Sequence, residues 1–209
     1  ITEIYGAHNL PGFTFGQVYT RTGTFACGSE GMTLKFHGKA THAAYPENGL
    51  SPAHAVGELL RQVPEFLTPE HYTGMVLCTV IGVQMGEKAF GAAAADAEVW
   101  LTLRAEHEKD LELLREMVLK AAKELAEADG LGFGMEEQDI FPATENDPVC
   151  AQKVMEKCNG KHLEVPMRWS EDFGHYLKKC KGAFFGIGAG KDHPALHTIT
   201  YEYPDDLLE

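Results

Sequence analysis

"AEVWLTLRAEHEKDLELLREMVLKAAKELAEADG", residues 97–130, changes its period partway along. The first ten residues alternate, with Val99, Leu101 and Leu103 facing one way. That period of two is the mark of a half-buried strand. From Lys109 onward the apolar residues Leu111, Leu114, Val118, Ala121 and Leu125 recur at steps of three and four, and Gly130 follows as a stop. That is an amphipathic helix with a C-terminal signal.

Working outward, "GMTLKFHG" (31–38) alternates as a strand, with Met32, Leu34 and Phe36 on one face. "LSPAHAVGELLRQVPEF" (50–66) reads as a helix, with Ser51 as N-cap and Pro52 in the first turn. "GMVLCTVIGVQMG" (74–86) is a strand rich in β-branched residues, and "LGFGMEEQDI" (131–140) reads as a last strand. The order over 31–140 is β-α-β-β-α-β, the ferredoxin-like split βαβ pattern. It predicts a four-stranded antiparallel sheet with two helices on one face. The other face, or an edge strand, is left for a partner.

The flanks do not belong to that unit. Residues 1–27 hold two strand-like pieces, "TEIYGAHN" and "GQVYTRTG". Residues 141–209 hold a helix capped by Asp147 with Pro148 in its first turn, a short helix at "SEDFGHYLKK", the strand "GAFFGIGAG" and a polar tail. This alternation is of the α/β class. The expected organisation is an α+β lobe, 28–140, inserted into an α/β lobe made of 1–27 and 141–209.

Composition narrows the function. A net charge of -13 argues against nucleic acid and anionic membrane as partners, since phosphate binding needs basic patches. No apolar run approaches the ~20 residues that span a bilayer. Five scattered cysteines without a CxxC pair suit a reducing cytoplasm, where the protein is expected. Each reads as a small buried hydrophobe. The chain starts without Met, inside a strand-like run, which suggests a fragment or a trimmed product.

Ten histidines exceed the usual number, and His54, His71, His107, His162 and His175 read as surface residues. His8 ends a strand before a Pro-Gly turn, where α/β lobes place ligands. His193 and His197 are spaced i, i+4, but Pro194 makes a helix there unfavourable, so they do not read as ligands of one metal. His42, in "ATHAAYPENG" (40–49), is either a turn residue or a group with room for a ligand beside it. In "SEDF", Ser170 reads as an N-cap with Glu171 and Asp172 in the first helical turn. The glycines of "GIGAG" (186–190) imply close backbone approach to something. No GxSxG or other nucleophile motif is present.

Taken together, "IYGAHNLPG", "FHGKATHAAYPENGLSPAHAV", "LTLRAE", "SEDFGHYL", "GAFFGIGAG" and "ALHTITYEYPDD" occur in an order that resembles one family. It is the co-catalytic metallopeptidase family of aminoacylase and carboxypeptidase G, and most closely its amidohydrolase branch with hippurate hydrolase and the auxin-conjugate hydrolases. The resemblance implies a catalytic α/β lobe with two divalent metal ions, zinc or manganese, and an inserted ferredoxin-like lobe that forms a homodimer. It implies hydrolysis of the amide bond of N-acyl amino acids or small peptides by a metal-bound hydroxide. Residue by residue, His8 and His197 resemble metal ligands. His42 resembles the histidine of the lid that reaches the partner's oxyanion. Arg104 resembles the arginine that contacts the substrate carboxylate, and Gly188 falls in the glycine loop beside the substrate. His193 does not match.

Three departures carry expectations. The part of the catalytic lobe with the other ligands and the glutamate base has no counterpart in 1–209, so the chain alone is expected to be inactive and to bind metal weakly. The metal-binding half-site is expected to be exposed beside an incomplete sheet. Gly91 stands where the family has a substrate-binding Asn. The competing reading is a non-catalytic dimerisation or ligand-binding module.

Overall fold

Residues 1–208 are described by a computed structural model. In chain order the strands are β1 (Glu3–Pro11), β2 (Val18–Thr20), β3 (Gly23–Ala26), β4 (Gly28–His37), β5 (Thr41–His42), β6 (Val76–Met85), β7 (Ala92–Ala93), β8 (Asp96–Ala105), β9 (Gly132–Phe141), β10 (Thr144–Asn146), β11 (Lys161–His162) and β12 (Lys181–Gly190). The helices are α1 (Ala53–Phe66), α2 (Glu108–Ala128), α3 (Pro148–Lys157) and α4 (Phe173–Leu177). They form two units: residues 28–140, and residues 1–27 with 141–209.

In the unit of residues 28–140 the sheet order is β6-β8-β4-β9. Both β4 and β6 run antiparallel to β8. They are therefore parallel to each other with β8 between them, and α1 is the crossover that such a pair requires. Gly132 packs on His37, Gly134 on Lys35 and Gly31 on Gln138, so β9 runs opposite to β4. The alternation decides the faces. Met32, Leu34, Phe36, Val99, Leu101 and Leu103 share one core with Leu59 of α1 and Leu114 and Val118 of α2. Each such side chain contributes about 1.5–3 kcal/mol by leaving water. The opposite face is polar, and Lys35 Nζ lies there 2.7 Å from Glu136 and 3.7 Å from Glu98. At the start of α2, buried Asp110 accepts hydrogen bonds from Thr73 N–H, Thr73 Oγ1–H and Gly74 N–H at 2.9–3.0 Å. A buried carboxylate is tolerated there because three donors converge on its Oδ2.

The buried seam of α2 departs from the expectation at its far end. Ala122 and Ala126 are fully buried, whereas Ala121 and Leu125 pack at its margin. Steps of 3-4-4-4 from Leu111 follow the 3.6-residue turn, and the small alanines let α2 approach the sheet. The short pair β5–β7 is an element the periodicity did not indicate.

In the other unit the order is β1-β12-β2-β11. β1 and β12 are parallel, in register from Glu3↔Lys181 to Leu10↔Gly188. β12 is central and covered on both faces. Ala183, Phe185 and Ile187 pack with Val18 and with Cys150 and Val154 of α3, while Phe184 packs with Phe25 and Phe173. That explains its near-continuous apolar run. Asp147 caps α3, accepting from Val149 N–H (2.9 Å) and Cys150 N–H (3.1 Å). "GQVYTRTG" is not one strand: β2 pairs with β12 and β3 with β10, and Gly23 turns the chain between them at φ 72°.

One expectation at "SEDF" is corrected. α4 begins at Phe173, its N-cap is Asp172, and Ser170 lies outside it. The start is set by packing: Phe173 is buried against Phe184, and a side chain at Gly174 would meet the Pro142 carbonyl at 2.6 Å. Capping preference yields to that fit.

Candidate active site

His42 sits on the β5–β7 pair. Its partner in register is Ala92, and Ala43 N–H donates to the Gly91 carbonyl at 3.0 Å. The imidazole is exposed, and its Nδ1 accepts from Ala44 N–H at 3.0 Å. A ring nitrogen that accepts from an amide carries no proton, so in the neutral ring the proton is on Nε2. His42 is thereby held as an outward-pointing N–H donor. The Tyr45 ring lies 6.0 Å from it.

At Gly91 a Cβ would meet nothing within 4 Å. Its backbone makes the contact to Ala43, and its missing side chain leaves open space. Arg104 lies on β8 opposite Ser29 and Leu77. It alternates with the buried Leu103 and Ala105, so it projects from the sheet face away from the helices, as Trp100 does.

His8 is half-buried on β1, opposite Gly186 of β12. Its Nδ1 is 2.7 Å from the Asn9 carbonyl oxygen. A carbonyl only accepts, so Nδ1 carries the proton and Nε2 keeps its lone pair. A histidine oriented by a carbonyl on its far nitrogen is the usual form of a metal-binding imidazole. The Trp169 ring lies 5.0 Å from it. Nearby, burial and the Asp172 side chain push the Glu171 carboxyl above its ordinary value. Glu171 also accepts from Asp172 N–H at 2.9 Å.

His197 is exposed in a turn, with a left-handed φ of 61°. The segment around it is tied down at its flanks. His193 Nε2 donates to the Glu202 carbonyl at 2.8 Å, its ring meets Tyr201 edge-on, and Asn9 hydrogen-bonds the Tyr201 hydroxyl. His193 therefore has a structural partner. Tyr201 was not singled out from the sequence; its Asn9 bond joins residues far apart in the chain, which no local pattern reveals.

Gly188 is approached by this chain's own backbone. A Cβ there would lie 2.0 Å from the Thr14 carbonyl, Gly188 N–H donates to Gln17, and Gly16 N–H donates to Gly188. The close approach read from "GIGAG" is thus met by residues 13–17.

Among the described residues, no three His, Cys, Asp or Glu side chains are grouped so as to hold a metal ion. His8 offers a prepared Nε2, but these residues do not by themselves fit a dinuclear centre. No described helix is long and apolar enough to cross a membrane.

Residues 26–130 match the family model of the peptidase dimerisation domain of M20 peptidases, and the chain belongs to that family. N-acetyldiaminopimelate deacetylase of Streptococcus thermophilus is 30% identical over 93% of this chain and 53% of its own length. The enzyme of that name from Streptococcus pneumoniae is 28% identical over 99% of this chain and 56% of its own. A putative aminohydrolase from methicillin-resistant Staphylococcus aureus superposes with a TM-score of 0.86 at 21% identity, covering 100% of this chain and 56% of its own. A dinuclear metal-binding peptidase of the M20 family from Bacillus subtilis superposes at 0.78 and 18% identity, over 100% and 53% of the two chains. These two share the fold. The chain spans about half the length of the curated relatives it matches.

Proposed function

We propose that this chain is part of a dimeric, metal-dependent amidohydrolase that cleaves the amide bond of N-acyl amino acids or small peptides. In this reading residues 1–27 and 141–209 belong to its α/β catalytic lobe, and residues 28–140 are a ferredoxin-like dimerisation lobe. The observation that carries it is the fixed tautomer of His42, an exposed N–H donor on a dimerisation domain. Such a donor suits a carbonyl oxygen that gains charge as the amide becomes tetrahedral. Arg104 takes the substrate carboxylate, and His8 and His197 each supply one metal ligand. Metals held there would supply the nucleophile. Because the described residues do not assemble that centre, no step is routed through it.

Support for the substrate class comes from relatives named for removing acetyl from an amino acid. Support for the dimer comes from β6, an edge strand whose Val80, Ile81, Val83 and Met85 are exposed. An uncovered apolar edge is an invitation to pair. The test is to express the full-length gene product, load it with zinc or manganese, and assay N-acyl amino acids and dipeptides. Absence of turnover with all of them rejects the reading. The chain alone is proposed to be inactive, and tight stoichiometric binding of two zinc ions in isothermal titration refutes that. Gly91, where the resemblance implies an Asn, favours the second reading, a non-catalytic module of the same family, because it leaves no side chain beside His42.

A further inference from the structure

The sheet of residues 28–140 packs one face on its helices, and the other face holds an open trough of about 430 Å³. Its floor is made of small residues, Gly31 and Thr33 of β4 and Thr102 of β8. Trp100 of β8 stands on it toward the β6 edge, and Glu136 and Asp139 of β9 stand toward the opposite edge. Two contacts hold the indole. Its Nε1–H donates to Glu98 at 2.9 Å. Its six-membered ring lies over Gly82 of β6, the residue paired with it in register, where a Cβ would come within 2.8 Å of the ring. An aromatic ring that covers an edge glycine is a packing device in its own right. Packing leaves unexplained the charge gathered around this one. Glu98, Glu136 and Asp139 all line the trough. Lys35 lies 3.7 Å from Oε1 of Glu98 and 2.7 Å from Oε1 of Glu136. Three carboxylates thus face one ammonium group, and the balance is negative. Arg104, two places beyond Thr102 on the same face, does not line the trough.

We propose that this trough is a binding site for a small organic cation that carries a guanidinium group, as arginine does. A guanidinium is planar. It stacks on an indole face, and the N–H donors in its plane reach carboxylates at the margin of the ring. An ammonium brings the charge without the plane. Glu136 and Asp139 supply the ionic partners, and the bond to Glu98 keeps the indole in position. The volume falls within the ~300–1,000 Å³ of small-molecule sites. None of these residues belongs to the candidate active site, so the proposal stands or falls apart from the amidohydrolase reading.

The test is isothermal titration of the chain with three probes of one length. n-Butylguanidinium should bind saturably. n-Butylurea, of the same shape without the charge, should not bind, and n-butylammonium should bind about tenfold more weakly than the guanidinium. Fluorescence locates the site. The chain has two tryptophans, Trp100 and Trp169, so Trp169→Phe leaves Trp100 as the reporter. Its emission should change with the dissociation constant found by titration. The double variant Glu136→Gln, Asp139→Asn should weaken binding about tenfold. Both positions are exposed, so its melting temperature should match the parent's. Equal affinity for the guanidinium and either other probe, a Trp100 emission that stays constant while the guanidinium binds, or a folded double variant that binds as the parent does overturns the site. Absence of saturable guanidinium binding to the parent overturns it without any variant.

Discussion

The backbone amide of Ala44 donates to Nδ1 of His42, 3.0 Å away, and so fixes which end of the imidazole carries its proton. Two residues of separation suffice, because the turn after β5 folds the amide back over the ring. His42→Ala in the full-length enzyme should lower kcat by about 10²-fold or more with little change in KM, the pattern of a lost oxyanion donor. A matching rise in KM with kcat intact would instead assign His42 to ground-state binding.

A Cβ added at Gly91 would meet open space. Gly91→Asn should fold with a melting temperature close to the parent's, since its Cβ meets nothing within 4 Å. It should also lower KM for N-acyl amino acids several-fold. Steady-state kinetics beside a thermal melt check both, and an unchanged KM would show that position 91 takes no part in substrate binding.

Ile81 lies on the β6 edge, 61% exposed, at a register irregularity between Val80 and Gly82. Ile81→Lys places a charge on that edge, a common guard against strand pairing. The dimer dissociation constant should rise at least tenfold in analytical ultracentrifugation. A parent that is monomeric at high concentration would dispose of the edge-pairing proposal altogether.

His54 joins the start of α1 to the end of α2, with its Nδ1 2.9 Å from Asp129. The carboxylate raises the His54 pKa above its ordinary 6.5. A raised histidine stabilises fully below its unfolded value, and that contribution fades as pH climbs through the folded value. Melting temperature should therefore fall from pH 6 toward pH 8, and His54→Gln should flatten that part of the profile. An identical slope in the variant would exclude the pair as its source.

Two glycines test the reading of close approach. Gly188→Ala drives a Cβ to 2.0 Å from the Thr14 carbonyl, so it should destabilise by about 2–4 kcal/mol. Gly57→Ala, at an open and exposed position inside α1, should stabilise by about 0.5–1 kcal/mol. Urea denaturation of both separates steric exclusion from the general effect of losing a glycine.

The long elements were legible in the sequence because period and burial agree in them. β4, β8 and α2 each bury one face, and their apolar residues say so. β5 and β7 were not, since a two-residue strand has no period and this pair is made by loops that meet. Ser170 shows where local chemistry misleads: it is a good capping residue, but the fit of Phe173 and Gly174 against Phe184 and Pro142 sets where α4 begins. For the candidate site, residue types and order were readable. The proton positions of His8 and His42 were not, because each depends on one backbone group brought alongside the ring.

The parallel pairing of β1 with β12 has a kinetic consequence. These strands lie near opposite ends of the chain, with all of residues 28–140 between them. During synthesis the inserted unit can collapse as soon as its own residues have emerged, whereas β1 must wait for β12. Such distant pairing is slow, because a long loop must close before any contact rewards it. Refolding should therefore be biphasic, with the inserted unit ordering first and the ring of His8 reaching its place on the sheet in the late phase.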